Sequence, residues 1–338
     1  MRLAATAFVA AGLVAVASAL MTSPALAQPP DEGVVRGKVT MLSAGAALEG
    51  TLEVELIVLE GSKVTSAVKA PVSDGAYEAR VPTTAGRTYI PRINYQRVDY
   101  FGDPVRLSPT EKAATRDFAV YATTDRADTL SLIQTIVTVV GLDRTKGEMG
   151  LLREDVVSVS GDRVYTGGAS GVTLRLPAPE GTTEASDEDS GGTFANGVMA
   201  VTTPIRPGEA SSIITSYLVK YDPAQDRYRL RVTVPIPAQS VVARVPREFA
   251  RKVRPVAPAE QVDDQVLKDE ARTVLYIVRT PDRIEAGQSL LVDIDGVAGT
   301  LQHHPLTEQP GASIAVGAVL AGAAAAGVFI WRRRPLAA

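Results

Sequence analysis

Apolar and polar residues alternate with a period of two along most of this chain. Between Thr51 and Leu59, the side chains of Leu52, Val54, Leu56 and Val58 fall on one face and Glu53, Glu55 and Ile57 on the other. That is the signature of a strand with one face on a core. Tyr77, Ala79 and Val81 alternate with Glu78 and Arg80 in the same way. With Val64–Val68, Arg87–Tyr95 and Arg116–Tyr121, and turns such as Ser73-Asp74-Gly75, they predict a sandwich of about seven strands. A second set follows: Leu130–Val140, Asp155–Ser160, Gly171–Leu176, Gly197–Thr203, then Ile213–Tyr221 and Tyr228–Val234, the last with Arg229 and Arg231 on its polar face. The expected fold class is all-β, with two antiparallel Ig- or prealbumin-like β-sandwiches at 34–122 and 129–246.

Three stretches carry weaker patterns. Pro177–Thr193 holds Glu184, Asp187, Glu188 and Asp189 among Gly, Ser and Thr, and predicts a solvated loop. Pro235-Ile236-Pro237 ends a strand, because proline cannot donate to a ladder, and Ser240–Val245 then predicts an edge strand. Residues 247–300 predict a membrane-proximal linker with one weak helical turn through Val262, Val266 and Leu267. Strands at Thr273–Val278 and Ser289–Ile294 follow, able to join the second sandwich.

The two ends break the β pattern. Arg2, an apolar run from Leu3 to Met21 and Ala25-Leu26-Ala27 predict a cleaved signal peptide at 1–27, followed by a disordered lead at 28–33. Ala312–Ile330 contains no charge, and as a helix it would span roughly 28 Å. Trp331 and Arg332–Arg334 follow it. The expectation is a stalk at 301–311, a single transmembrane helix at 312–331 and a cytoplasmic tail at 332–338, with everything earlier on the far side of the membrane. Ala318, Gly322 and Ala326 form a small-residue face suited to helix-mediated self-association.

Asp74-Gly75-Ala76-Tyr77, with Val81-Pro82, Gly86 and Tyr89, resembles the D-G-x-Y … P … G-x-x-Y core of carboxypeptidase regulatory-like domains. Tyr121–Asp125 is similar to the linker of bacterial membrane-anchored members. The resemblance covers Val34–Tyr121 and implies a prealbumin-like, carbohydrate-binding-like sandwich; it implies no peptidase.

Composition narrows the chemistry. Residues 28–311 hold 31 Lys and Arg against 38 Asp and Glu, a mildly acidic balance that excludes a nucleic-acid partner. With no cysteine there are no disulfides, thiolate metal sites or cysteine nucleophiles. The two histidines, His303 and His304, are adjacent on the expected stalk and point apart. No H-x-x-E pair, G-x-S-x-G elbow or phosphate loop occurs; Gly168-Ala169-Ser170-Gly171 misses the elbow spacing. No cofactor is implied. Glu184, Asp187 and Asp189 form a candidate Ca²⁺ cluster, although neighbouring acids on extended chain diverge. Tyr95 and Tyr100, flanking the turn 96–99, are the candidate binding aromatics, because sugars stack on exposed rings. The function expected from all this is a non-enzymatic binding or structural module whose ligand is polysaccharide or an envelope protein. The alternatives are an accessory subunit of a membrane complex and a glycan hydrolase working through a carboxylate pair.

Overall fold

The computed structural model describes residues 31–187, 192–266 and 274–298. The expected signal peptide, stalk, transmembrane segment, tail, both histidines and Asp189 lie outside those residues. The described residues are all-β, apart from two single-turn 3-10 segments at Ala127–Thr129 and Gly168–Ser170. Among them no helix is long and apolar enough to cross a membrane.

The first unit packs two sheets face to face. One orders Lys63–Pro71, Glu53–Glu60, Arg87–Tyr95 and Val98–Phe101. In the other, Ala76–Pro82 pairs antiparallel with Glu32–Met41, which takes Ala113–Thr115 and Phe118–Val120 in parallel on its far side. Alternation seals Val54, Leu56, Tyr89 and Ile93 of one sheet against Val35, Tyr77, Ala79 and Val81 of the other. Asp74 and Gly75 both take left-handed backbone (φ 51° and 72°) and close the hairpin whose ends bridge Ser73 to Ala76, as a two-residue primed turn requires. Glu32 and Gly33, expected in a disordered lead, instead begin the first strand, held by register with Pro82 and Val81.

The second unit is built on a seven-stranded sheet. Its order is Thr182–Asp187, Ser211–Lys220, Glu148–Val159, Leu130–Asp143, Ala238–Pro246, Val274–Arg279 and Glu260–Val266. Its inner face lies against two three-stranded sheets: Leu174–Pro177, Val198–Val201 and Thr193–Ala195, and Arg227–Thr233, Ser289–Asp295 and Lys252–Pro255. One continuous core joins them, from Leu132, Leu151 and Val219 through Leu176 and Met199 to Leu230, Val292 and Ile294.

Three expectations from the weaker stretches change. Ala238–Pro246 is interior, pairing parallel with Leu130–Asp143 and antiparallel with Val274–Arg279; the prolines before it end the previous strand without making this one an edge. Thr182–Asp187 and Glu260–Val266, read as loop and helical turn, are the two edge strands. Backbone pairing with a neighbour supplies what their acidic sequences lack, and charge on an edge discourages foreign strands. The strands expected near 273–278 and 289–294 join the second unit as Val274–Arg279 and Ser289–Asp295, and Val253, Val278, Leu290 and Val297 belong to its core.

Candidate functional site

Tyr95 and Tyr100 are 2% and 6% exposed, and both belong to the first core. Neither ring offers a face to a sugar. Burial pushes the Tyr100 hydroxyl pKa up, and its oxygen accepts from Tyr121 N at 3.2 Å. The turn between the two tyrosines is the informative feature. Gln96 (φ 48°) and Arg97 (φ 67°) both hold left-handed backbone without being glycine, as the two-residue hairpin that closes Tyr95 on Val98 requires. Their side chains reach out of the first unit. Gln96 Oε1 accepts from Thr123 N (2.9 Å) and Thr123 Oγ1 (3.0 Å) in the linker, and Arg97 Nη2 donates to Gly168 O at 3.1 Å in the second unit.

Around this turn the two units are locked together. Arg206 of the second unit donates to Asp99 O at 2.6 Å and stacks over the Tyr100 ring, 5.0 Å from its centroid. Ser43 Oγ donates to Asp162 O at 2.6 Å and accepts from Ala122 N at 2.9 Å. Thr123–Thr124 pairs in parallel with Val164–Tyr165. Val164, fully buried, sits in the core of the first unit. This is an apolar plug ringed by hydrogen bonds, not a flexible tether.

The joint and the chain exit lie at opposite ends of the second unit. Leu130–Asp143 starts at the joint, where Ser160 N donates to Thr129 O, and runs to the turn around Gly147. At that far end Tyr221 N donates to Gly147 O, and Tyr221 Oη donates to Val297 O at 3.1 Å. Ala298, the last described residue, donates its N–H to Asp226 there.

The two described members of the candidate Ca²⁺ cluster, Glu184 and Asp187, do not converge. Glu184 lies opposite Leu218 and Asp187 opposite Thr215, and Thr215 faces the core while Leu218 faces away, so the two carboxylates project to opposite faces. Among the described residues no group of three His, Cys, Asp or Glu could hold a metal. A shallow open groove of about 460 Å³ on the smaller three-stranded sheet is lined by Arg175, Pro177, Thr193, Asn196 and Val198, with no aromatic ring.

The residues that carry the family resemblance have structural duties. Asp74-Gly75 makes the turn described above. The Tyr77 hydroxyl donates to Arg116 O at 2.7 Å, and burial, with Asp117 adding, pushes its pKa up to about 12. Tyr89 donates to Pro82 O. Sequence reading missed a buried charge pair in the second core. Arg153 and Asp155 are 1% and 0% exposed. Arg153 Nε and Nη2 donate to the Asp155 carboxylate at 2.7 and 3.0 Å, and Nη1 donates to Pro177 O and Thr233 O, each at 3.2 Å. Thr135 Oγ1 donates to Asp155 Oδ1 at 2.6 Å. Burial opposes the guanidinium charge, but the Asp155 carboxylate and the Tyr217 hydroxyl outweigh it and raise the Arg153 pKa. A signal was present: Met149, Leu151, Arg153, Asp155, Val157 and Val159 alternate on one face, which puts both charges on an apolar stripe. With all three guanidinium nitrogens engaged, the pair is a structural clamp.

No family model matches the sequence, and no curated protein matches it. Among solved structures, the chain is similar to the M1 zinc metallopeptidase from Deinococcus radiodurans, at 10% identity and TM-score 0.29 over 49% of this chain and 42% of that one. It is also similar to the full-length major pilin SpaD from Corynebacterium diphtheriae, at 8% identity and TM-score 0.22 over 60% of each chain. The chain spans less than half the length of that peptidase, and likenesses at these scores carry no argument about function.

Proposed function

We propose that this chain is a non-enzymatic, membrane-anchored extracytoplasmic arm: a carboxypeptidase regulatory-like sandwich held outward by a second sandwich, serving as a binding or structural module of a cell envelope. The observation that carries the reading is the placement of the joint and the exit at opposite ends of the second unit. A chain that enters at one end and leaves at the other toward the uncharged run at 312–330 is built as a spacer. The locked joint fits the same role, because a presented surface keeps its orientation only when its support does not hinge. The partner is polysaccharide or another envelope protein, met by the first unit.

Protease added to sealed cells tests this. With an epitope placed in the Gly61 turn, the expected outcome is loss of the tag while a membrane-held remnant survives. A tag that resists protease, or a product found in the soluble fraction, sinks the reading. A pull-down from native membranes then identifies the partner.

A further inference from the structure

The three-stranded sheet of Arg227–Thr233, Ser289–Asp295 and Lys252–Pro255 seals one face on the second core through Tyr228, Leu230, Val232, Val253, Val292 and Ile294. All seven charged residues of its strands stand on the other face. Cross-strand register sets them in rows: Arg227, Asp295 and Lys252, then Arg229, Asp293 and Arg254, then Arg231 beside Leu291. Both carboxylates are already occupied. Asp295 receives Arg227 Nε on Oδ1 and Arg254 Nη2 on Oδ2, each at 2.7 Å. Asp293 receives Arg229 Nε and Nη2 at 2.7 and 3.1 Å. The two carboxylate side chains are 13% and 11% exposed, against 52% and 55% for Arg227 and Arg229. Solvent therefore meets guanidinium, with carboxylate beneath it. Arg231 faces Leu291 instead of an acid, and Lys252 faces an Asp295 whose two oxygens are taken. Arg254 Nε is buried without a hydrogen bond. Five cations over two covered carboxylates leave three positive charges in excess, on a chain whose residues 28–311 are acidic. Acids in the flanking turns are engaged elsewhere: Asp226 pairs with Arg251, Glu285 with Arg283, and Asp222 accepts from Ala224 N in its own turn. Glu180, whose carbonyl accepts from the Tyr228 hydroxyl beside this sheet, offsets at most one charge. Outward residues on one strand are only about 7 Å apart, so the unpaired cations repel one another until an external anion arrives.

We propose that this face binds an acidic polysaccharide, a single glycan strand whose carboxylates lie on the arginine rows. A guanidinium fork matches a carboxylate in two-point contact. Arg231 offers its whole fork, and Arg227 engages Asp295 through Nε while presenting its Nη groups. The other outward positions suit a hydroxylated chain: Thr233 and Ser289 share a hydroxyl contact at 2.8 Å, and Leu291 is the one apolar side chain among them. Acyl chains and the apolar anchors of a peptide therefore find no seat here. The patch is also small, about 14 Å along the strands and about 10 Å across them. A membrane plane or a nucleic-acid duplex would extend past it onto an acidic body and be repelled. A narrow, hydrated chain with spaced carboxylates meets both conditions. The face belongs to the second unit, so it stands whether or not the chain is anchored and whether or not the first unit meets a partner of its own.

Polygalacturonate titrated into the full-length protein in nonionic detergent tests this, with neutral dextran, polyglutamate and phosphatidylglycerol-doped micelles as comparisons. Polygalacturonate is expected to bind at low salt, to raise the melting temperature of the second unit, and to be released above about 0.5 M salt. Arg231→Gln with Lys252→Gln removes two cations that face no available acid across the strands, so the fold is kept and binding is expected to weaken about tenfold. Lys63→Gln, on an edge strand of the first unit, is expected to leave the affinity unchanged. Absence of binding, equal binding of dextran, or a double variant that binds as the parent does overturns the proposal. An equal loss from Lys63→Gln overturns it too, because the attraction would then belong to the whole chain. Tighter binding of polyglutamate or of the lipid micelles reassigns the face to an acidic protein segment or to headgroups, and sinks the polysaccharide.

Discussion

The two units solve the same packing problem differently. In the first core, two sheets of similar extent face each other. Its buried tyrosines Tyr77 and Tyr89 end on backbone carbonyls, and its buried polar residues are Ser43 and Thr83. In the second, one broad sheet faces two narrow ones, and the seam between them holds Arg153 and Asp155. Arg153 reaches from the broad sheet to Pro177 O on one narrow sheet and Thr233 O on the other. A divided layer leaves backbone acceptors facing inward at its seam, and burying them unpaired is costly. A guanidinium has enough donors to serve both edges and hold a carboxylate as well. The lesson is that the broken layer holds a charged clamp at its seam, where the unbroken one closes with hydroxyl-to-carbonyl bonds and no buried charge.

The hardest blow to that contrast is Arg153→Met. It leaves Asp155 buried without its partner, so the second unit is expected to lose about 3–5 kcal/mol while the first keeps its stability. Arg153→Met with Asp155→Leu is expected to regain most of the loss; urea melts followed by probes in each unit read both. If the double variant is no better than the single, the clamp serves the carbonyls rather than the charge. The first unit has its own critical point at Gly37. A Cβ there would sit 1.8 Å from Arg116 O, so Gly37→Ala is expected to cost about 1–3 kcal/mol in the first transition only. Tyr77→Phe removes one hydroxyl from an otherwise apolar core and is expected to cost about 1 kcal/mol.

The smallest effect lies on the outer face of the second unit, beneath the arginines that cover it. Asp293 is held by Arg229, whose Nε donates to it at 2.7 Å, and its pKa is lowered chiefly by that hydrogen bond. A lowered folded pKa means the contribution is complete above about pH 4, the unfolded value, and is lost as pH falls through the folded value. The stability gap between the protein and Asp293→Asn is therefore expected to be constant from pH 7 to about 5 and to close on further acidification. A gap that widens in acid refutes the pairing.

Where burial is one-sided, the sequence was easy to read. Glu53–Glu60 alternates because one face is core and the other is water, and its register with Arg87–Tyr95 follows. Thr182–Asp187 and Glu260–Val266 have no apolar stripe, because an edge strand is held by backbone pairing that leaves no mark on side-chain pattern. Tyr95 and Tyr100 were read as exposed binding rings, but both are packed inward, and the turn between them makes its outward contacts, all within the chain, through Gln96 and Arg97. No periodicity announces that two polar turn residues will bridge to a partner 71 positions away, as Arg97 does to Gly168.

Val164 bears on how this chain divides. It follows the linker in sequence yet fills the first core in space, so the border between the units is not a point along the backbone. Cutting near residue 125 would give one fragment with a valine-sized void and another with a stray greasy side chain. Fragments meant to fold alone would have to share the loop from Asp162 to Tyr165, or be swapped for a graft of it. When the second sandwich melts it withdraws this peg, so the transition of the first unit that follows is that of a sandwich with the void already open.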